Sequence, residues 1–321
     1  MKAQRAGVLR ANIYRLANCR NIIPSVLCRL GALHADAGLS FCRPGLRYGA
    51  SPVRLESPDR RSVLDRLLAR GLSLASRSQY TEQRSSGWLD SLSQRIIMLK
   101  ALTPIQCKAN RAELLWQMRH EKMTEDALDG ALGHACIAAE NVMGWVPRAN
   151  QRLAARAMLR GHCVEMATGE GKTLSIALAA AATALSGTPV HVLTANDYLA
   201  ARDADTLKRL YQFLGLRVSS VMSNSQVADR RQAYAADIVY VTAKQIASDW
   251  LSDVLELGTR PDSVAARLTA LTRTASDKAY TPVLRGLCLA IVDEADSLFV
   301  DEARIPLVLA MSQAYVSDVD T

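Results

Sequence analysis

A glycine-rich run in the middle of the chain has the composition of a phosphate-binding loop. It reads Ala-Thr-Gly-Glu-Gly-Lys-Thr over residues 167–173, between a short apolar run and an alanine-rich stretch. Glycines let backbone amides turn towards a phosphate, and the start of a following helix adds a positive field. Lys172 would contact the β- and γ-phosphates of a nucleotide, and Thr173 would offer its hydroxyl to Mg²⁺.

This loop departs from the strict pattern G-x-x-x-x-G-K-[ST], because Met166 stands where the first glycine is expected. It fits the helicase-type variant A-x-x-G-x-G-K-T instead. A chance glycine-rich turn is the alternative interpretation. The short strand predicted before the loop and the helix predicted after it favour the phosphate site.

A pair of adjacent carboxylates, Asp293 and Glu294, follows the apolar run 287–292. The carboxyl ends of parallel strands meet at the edge of the sheet where ligands bind. Asp293 would hold Mg²⁺ through water, and Glu294 would orient and polarise an attacking water. Alone, such a pair is typical of a solvated strand end. Its place about 120 residues after the loop, with several predicted strands between, favours the catalytic interpretation.

Short β-rich runs must position the glycine-rich loop and the carboxylate pair. They alternate with helical stretches after Gln151 and cover residues 163–166, 190–194, 218–221, 238–242 and 287–292. This alternation predicts an α/β fold, with a parallel sheet and helical crossovers. The alanine-rich stretch 174–185 is too short to span a membrane and is predicted to be a buried helix.

The part of the chain before the loop predicts helices. Apolar positions from Leu89 to Leu99 suggest one stripe, and another helix is expected at 124–142. Thr103, Pro104 and Gln106 predict a helix start, since Thr can cap, Pro suits the first helical position and Gln completes a capping box.

The net charge of +8 over 321 residues is unevenly distributed. Residues 1–85 hold 15 Lys or Arg against 5 Asp or Glu, and the remainder holds 24 against 26. A nucleic-acid groove needs positive charge on the folded domain, so the charge pattern disfavours one. The segment 1–85 is Arg- and Ser-rich and is expected to be poorly ordered. Three interpretations of this segment stay open: a flexible basic arm, a segment attracted to anionic lipid and a transit peptide.

The cysteines and histidines give no metal-binding pattern. The seven cysteines are Cys19, Cys28, Cys42, Cys107, Cys136, Cys163 and Cys288, and no two form a C-x-x-C pair. The five histidines are scattered. Dispersed, reduced thiols are therefore the expectation.

Four stretches in order resemble the SecA family of preprotein translocase ATPases. They are residues 165–173, 190–203, 231–238 and 292–307. The second contains Thr-Ala-Asn-Asp-Tyr-Leu-Ala-Ala-Arg-Asp, and the fourth contains Asp-Glu-Ala-Arg-Ile-Pro-Leu. Ordinary DEAD-box RNA helicases lack these two runs, so the resemblance over about residues 88–310 is specific.

The resemblance implies a helical N-terminal region at 86–150 and a partial RecA-like nucleotide-binding domain at 151–321, with ATP and Mg²⁺ as cofactors. Gln151 matches the glutamine that reads adenine, although alone it would be interpreted as an exposed helix residue. The nucleotide-binding block corresponds to Gly169, Glu170, Gly171, Lys172 and Thr173. Lys172 and Glu294 would be catalytic, and Thr173 and Asp293 would hold Mg²⁺.

The resemblance also implies partners and a location. The partners are the SecYEG channel and an unfolded preprotein, and the location is the cytoplasmic face of the inner membrane. Binding to an anionic membrane surface and formation of an oligomer also stay open. Arg202 and Asp203 match positions near the family's site, but surface charges on a helix explain them equally well.

Two departures point to a divergent paralogue: residues 241–251 match the family only at their ends, and 255–285 resemble an insertion. The family's second motor domain would follow Thr321, so we expect weak nucleotide binding and slow hydrolysis from this chain alone. The alternatives are a superfamily 2 DEAD-type nucleic-acid helicase and a non-catalytic truncated remnant.

Overall fold

The computed structural model describes residues 13–14, 82–120, 124–257 and 281–301. Its first part contains a two-residue strand and four helices: β1 (Ile13–Tyr14), α1 (Glu82–Ala101), α2 (Pro104–His120), α3 (Glu125–Met143) and α4 (Ala149–Leu159). The capping box predicted for α2 is confirmed, since Thr103 N donates to Gln106 Oε1 over 3.0 Å and Gln106 N donates to Thr103 Oγ1 over 3.3 Å. Most of the basic segment 1–85 lies outside the described residues.

Strands and helices alternate after α4. The elements are β2 (Cys163–Val164), α5 (Lys172–Leu185), β3 (Val190–Thr194), α6 (Asp197–Phe213), β4 (Val218–Ser220), α7 (Val227–Tyr234), β5 (Ile238–Thr242), α8 (Ala243–Leu257) and β6 (Leu289–Val292). A π-helical turn, Ser297–Asp301, follows β6. The strands at 190–194 and 238–242 coincide with the predicted runs, and the others are shorter.

Four strands form one parallel sheet in the order β4-β5-β3-β6. Val192 of β3 is paired with Tyr240 of β5 on one side and with Ile291 of β6 on the other. The α/β fold with a parallel sheet is therefore confirmed. The parallel register brings the carboxyl ends of β3, β5 and β6 to one edge.

The strand that leads into the glycine-rich loop differs from its neighbours. β2 is only two residues long and pairs antiparallel with β1, so that Ile13 faces Val164 and Tyr14 faces Cys163. It is not hydrogen-bonded to the four-stranded sheet within the described residues. Both hydrogen-bonding edges of β3 are already occupied by β5 and β6, which leaves β2 no place beside β3.

The helices α3 and α5 form the centre of the core. Residues 130–139 of α3 and 174–185 of α5 are all buried, and most are alanine or another small residue, which lets neighbouring helices approach closely. α3 packs against α1, α2, α5 and α6, and α5 also packs against α4 and β3. The prediction that 174–185 is a buried helix is confirmed. Across the described ranges, no helix combines the length and apolar character needed to cross a membrane.

Candidate nucleotide-binding site

The loop between β2 and α5 carries two glycines in the left-handed region. Gly169 has a φ of 83° and Gly171 a φ of 81°, values that other residues adopt only with strain. Gly171 is the N-cap of α5, and its carbonyl accepts hydrogen bonds from the amides of Leu174 (3.2 Å) and Ser175 (3.3 Å). The loop thus ends at the positive end of a 14-residue helix, where a phosphate is favoured.

Gly171 is also required by its surroundings. A Cβ built on this residue would lie 2.2 Å from Nε2 of Gln151. That separation is far inside van der Waals contact, so a larger residue would displace the Gln151 side chain or the loop. The glycine therefore serves both the backbone conformation and the close approach of α4.

Gln151 lies at the start of α4 and is only 6% exposed, so the interpretation as an exposed helix residue is wrong. Its Oε1 accepts a hydrogen bond from the amide of Arg148 over 2.9 Å. Its Nε2 donates to the carbonyl oxygen of Glu170 over 2.8 Å. The bond to Glu170 holds the side chain against the loop, and the two bonds together satisfy its buried polar atoms.

Asn150 is a neighbour of the loop that the sequence analysis missed. Its Nδ2 donates to the Oε2 atom of Glu170. Asn150 and Gln151 together fix both the side chain and the carbonyl of Glu170. The only sequence sign of this contact was the adjacency of two amide side chains at the start of a helix.

Asp293 follows β6 at the edge where the parallel strands end. Its amide donates to the carbonyl oxygen of Leu193 over 2.9 Å, which continues the pairing of β6 with β3 by one residue. Burial raises the pKa of the Asp293 carboxyl above its ordinary value, and the charge of Glu294 raises it further. The positive charge of Lys172 acts in the opposite direction, which places the loop lysine within electrostatic reach of Asp293.

Glu294 has an unusual backbone. Among the described residues, it alone has a positive φ, of 54°, without being a glycine. Its amide donates to Oδ1 of Asp293 over 3.1 Å, and its side chain is exposed. Strained residues of this kind occur at functional sites, where the surrounding structure holds them in place.

Lys172 and Thr173 are the first two residues of α5. The side chain of Lys172 is exposed and that of Thr173 is half-buried. Loop residues 167–169 are exposed as well. A ligand can therefore reach the loop backbone, the ammonium group and the hydroxyl from solvent.

Arg202 and Asp203 lie on α6, and they are not equivalent surface charges. Asp203 is buried, and its Oδ1 accepts from Nε and Nη2 of the exposed Arg202 at 2.8 and 2.7 Å. The charge of Asp203 contributes to the raised pKa of Asp293. The hydrogen bond to Asp203, with help from Asp293, raises the pKa of Arg202. Both residues thus lie near the edge of the sheet that carries Asp293.

The donor set fits a nucleotide and a hard divalent cation. The loop and helix start supply amides, and Lys172 supplies a positive charge for phosphates. Thr173 and Asp293 supply oxygen atoms, which Mg²⁺ prefers. Burial is the main cause of the raised pKa of Asp293, and the positive charge of Lys172 offsets it only in part. No cluster of three or more His, Cys, Asp or Glu side chains suited to a metal occurs in the described part of the chain.

Several known proteins are similar to this chain in sequence. Residues 72–320 match the family described as the SecA DEAD-like domain. The chain is 43% identical over 216 residues to the protein translocase subunit SecA 2 of Bordetella avium, covering 67% of this chain and 33% of that protein. It is 34% identical over 271 residues to the subunit SecA 2 of Nitrosospira multiformis, covering 84% and 40%.

A third relative extends the pattern. The protein translocase subunit SecA 3 of Magnetococcus marinus is 35% identical over 239 residues, covering 73% of this chain and 36% of that protein. The chain thus spans between a third and two fifths of the length of these relatives. Since the family match covers most of its residues, the chain belongs to the SecA family, within its DEAD-like domain.

Proposed function

We propose that this chain is the ATP-binding part of a SecA-like motor, which couples ATP hydrolysis to the movement of preproteins through the SecYEG channel. One arrangement carries the proposal. Lys172 begins α5 at the end of the glycine loop, and its charge acts on Asp293 at the end of β6. Lys172, which we propose binds phosphate, and Asp293, which we propose binds the metal, thus come from two separate elements and lie within electrostatic reach of each other.

Binding would use the loop backbone first. The amides of Gly169 to Thr173 and the start of α5 would surround the phosphates, with Lys172 as a point charge. Gln151 would read adenine. Both of its amide atoms are engaged by backbone groups, so base recognition would exchange at least one of these hydrogen bonds for one to the nucleotide.

Hydrolysis would use the edge of the sheet that carries Asp293 and Glu294. Thr173 and Asp293 would hold Mg²⁺, which when bound neutralises phosphate charge. Glu294 would orient and polarise the water that attacks the γ-phosphate. The side chain of Glu294 is exposed, and its backbone amide donates a hydrogen bond to Oδ1 of Asp293, so the residue is suited to that task.

The proposed partners follow from family membership. An unfolded preprotein and SecYEG would bind at the cytoplasmic face of the inner membrane, where the chain would be peripheral. The basic residues of 1–85 would add attraction to anionic lipid. The remainder of the chain, with 24 basic and 26 acidic residues, offers no general attraction to nucleic acid.

Stimulation of ATP hydrolysis tests this proposal. We expect the rate to rise with vesicles of anionic lipid that contain SecYEG together with an unfolded preprotein, and to be unchanged by RNA or DNA. The Lys172→Ala variant should show no stimulation. A rate that rises with RNA or DNA alone would instead support a helicase, and stimulation that survives in Lys172→Ala would exclude this loop as its source.

A further inference from the structure

The glycine loop contains a carboxylate, Glu170, between Gly169 and Gly171. Phosphates are negatively charged, so a free carboxylate two residues before Lys172 would repel them and compete for the ammonium group. The side chain of Glu170 is half-buried, whereas loop residues 167–169 are exposed. The place where this carboxylate is held therefore bears directly on phosphate binding.

Asn150, in the first turn of α4, holds the carboxylate. Its Nδ2 donates to Oε2 of Glu170. Its Oδ1 accepts a hydrogen bond from the amide of Gln151 over 2.9 Å. Because only the oxygen of an amide can accept, the bond from Gln151 fixes Nδ2 as the atom that points to Glu170. Both ends of the Asn150 side-chain amide are thus engaged.

The start of α4 contributes a second contact and a favourable field. Nε2 of Gln151 donates to the backbone carbonyl of Glu170 over 2.8 Å. The first turn of α4 contains no acidic residue of its own, and the positive end of a helix stabilises a nearby carboxylate. Glu170 supplies that negative charge from the loop. Its carboxylate therefore has an electrostatic reason to stay at α4.

We propose that Asn150 is a positioning residue of the phosphate site, which keeps the Glu170 carboxylate bonded to α4 and away from the phosphates. Asn150 has this role only if the loop binds the phosphates of ATP, so it rests on the proposed function. Without the Nδ2 donor, the carboxylate is free to turn towards Lys172, where it repels the nucleotide and competes for the ammonium group.

A double-mutant cycle of ATP affinity tests this role. A fluorescent ATP analogue with Mg²⁺ is titrated into the wild type, Asn150→Ala, Glu170→Gln and the double variant. We expect Asn150→Ala to weaken binding by about fivefold in the wild-type background. In the Glu170→Gln background, where no carboxylate is left to release, the same change should weaken binding by less than about twofold.

Salt and a matched control separate a restrained charge from general stabilisation of the loop. The loss in Asn150→Ala should shrink between about 0.1 M and about 1 M salt, because salt screens repulsion between charges that water can reach. Asn224→Ala, on an exposed turn after β4, should bind like the wild type in both backgrounds. Thermal melting shows whether Asn150→Ala is folded. If it is not, Asn150→Leu, which keeps the side-chain size without a donor, takes its place.

Three results would overturn the role of Asn150. They are an unchanged affinity in Asn150→Ala, an equal loss in both backgrounds and a loss that salt leaves unchanged. Failure of the proposed function gives a different result. If the wild type binds no ATP, or binds it no better than Lys172→Ala does, the proposed function fails and the role of Asn150 falls with it. If binding depends on Lys172 but not on Asn150, only the role of Asn150 fails.

Discussion

The side chain of Gln151 donates a hydrogen bond to the carbonyl of Glu170 over 2.8 Å and so ties the start of α4 to the glycine loop. The glutamine proposed to read the base is thus already bonded to the loop proposed to bind the phosphates. Base recognition by Gln151, as proposed, would be coupled to the loop conformation through this one bond. A nucleotide that took the bond from Gln151 would also free the loop to adjust.

Replacement of Gly171 tests how strongly the loop depends on this close approach. We expect Gly171→Ala to lower the free energy of unfolding by about 1 to 3 kcal/mol, because a positive φ and an overlap with Gln151 act together. Gly161→Ala is the matched control, since Gly161 has a φ of 72° with nothing within 4 Å of an added Cβ. Denaturant unfolding measures both. Equal losses would show that the overlap with Gln151 has no effect.

Removal of the Gln151 side-chain amide should weaken ATP binding by more than any loss of folding stability would cause. A hydrogen bond from the Gln151 amide to adenine would contribute about 0.5 to 1.5 kcal/mol to binding. Gln151→Ala is therefore expected to weaken ATP binding by up to about tenfold, with a smaller loss for GTP. Gln232→Ala, on an exposed part of α7, should leave both affinities unchanged. Parallel losses for ATP and GTP in Gln151→Ala would contradict adenine recognition.

Glu294 is predicted to act in hydrolysis and not in binding. Glu294→Gln keeps the size of the side chain but removes the carboxylate that would polarise water. We expect hydrolysis to fall by about 100-fold or more while ATP affinity changes little. Asp296→Asn, also exposed and two residues away, should hydrolyse ATP normally. Single-turnover measurements separate binding from chemistry, and an unchanged hydrolysis rate in Glu294→Gln would assign the water to another residue.

Asp293 should make stability depend on pH in a defined direction. Its folded-state pKa lies above the ordinary value of 3.8, so its protonated form stabilises the fold. That contribution is complete below the unfolded-state pKa and is lost as the pH rises through the folded-state pKa. Asp293→Asn, which mimics the protonated form, should therefore melt at a higher temperature than the wild type at pH 7 without nucleotide or Mg²⁺.

The difference between Asp293→Asn and the wild type should narrow as the pH falls through the folded-state pKa of Asp293, because the wild-type carboxyl then becomes protonated. Asp205→Asn, on an exposed position of α6, should show no such pH-dependent difference. An Asp293→Asn variant that melts below the wild type at pH 7 would contradict the unfavourable burial of this charge.

Much of this fold could be predicted because its local patterns agree with its tertiary structure. The loop 167–173 contains residues suited to left-handed turns, and the capping box at Thr103 and Gln106 is closed within four residues. Parallel pairing followed from the alternation of apolar runs with helices. Such features depend on neighbours in sequence, which a pattern can detect.

The contacts that sequence could not predict are between distant residues. Asn150 binds Glu170 twenty positions later, and His134 reaches Cys107 from a different helix. The pairing of β2 with Ile13–Tyr14 joins segments about 150 residues apart. The burial of Gln151 and Asp203 likewise depends on packing between elements. Periodicity alone carries no information about which helices meet.

Nucleotide affinity in the presence of Mg²⁺, measured for the wild type and Lys172→Ala with a fluorescent ATP analogue, tests the central claim most directly. We predict saturable binding to the wild type that ATP displaces, and a loss of about tenfold or more in Lys172→Ala. Lys208→Ala, an exposed lysine on α6, should bind like the wild type. Equal binding in the wild type and Lys172→Ala, or no binding in either, would contradict the account.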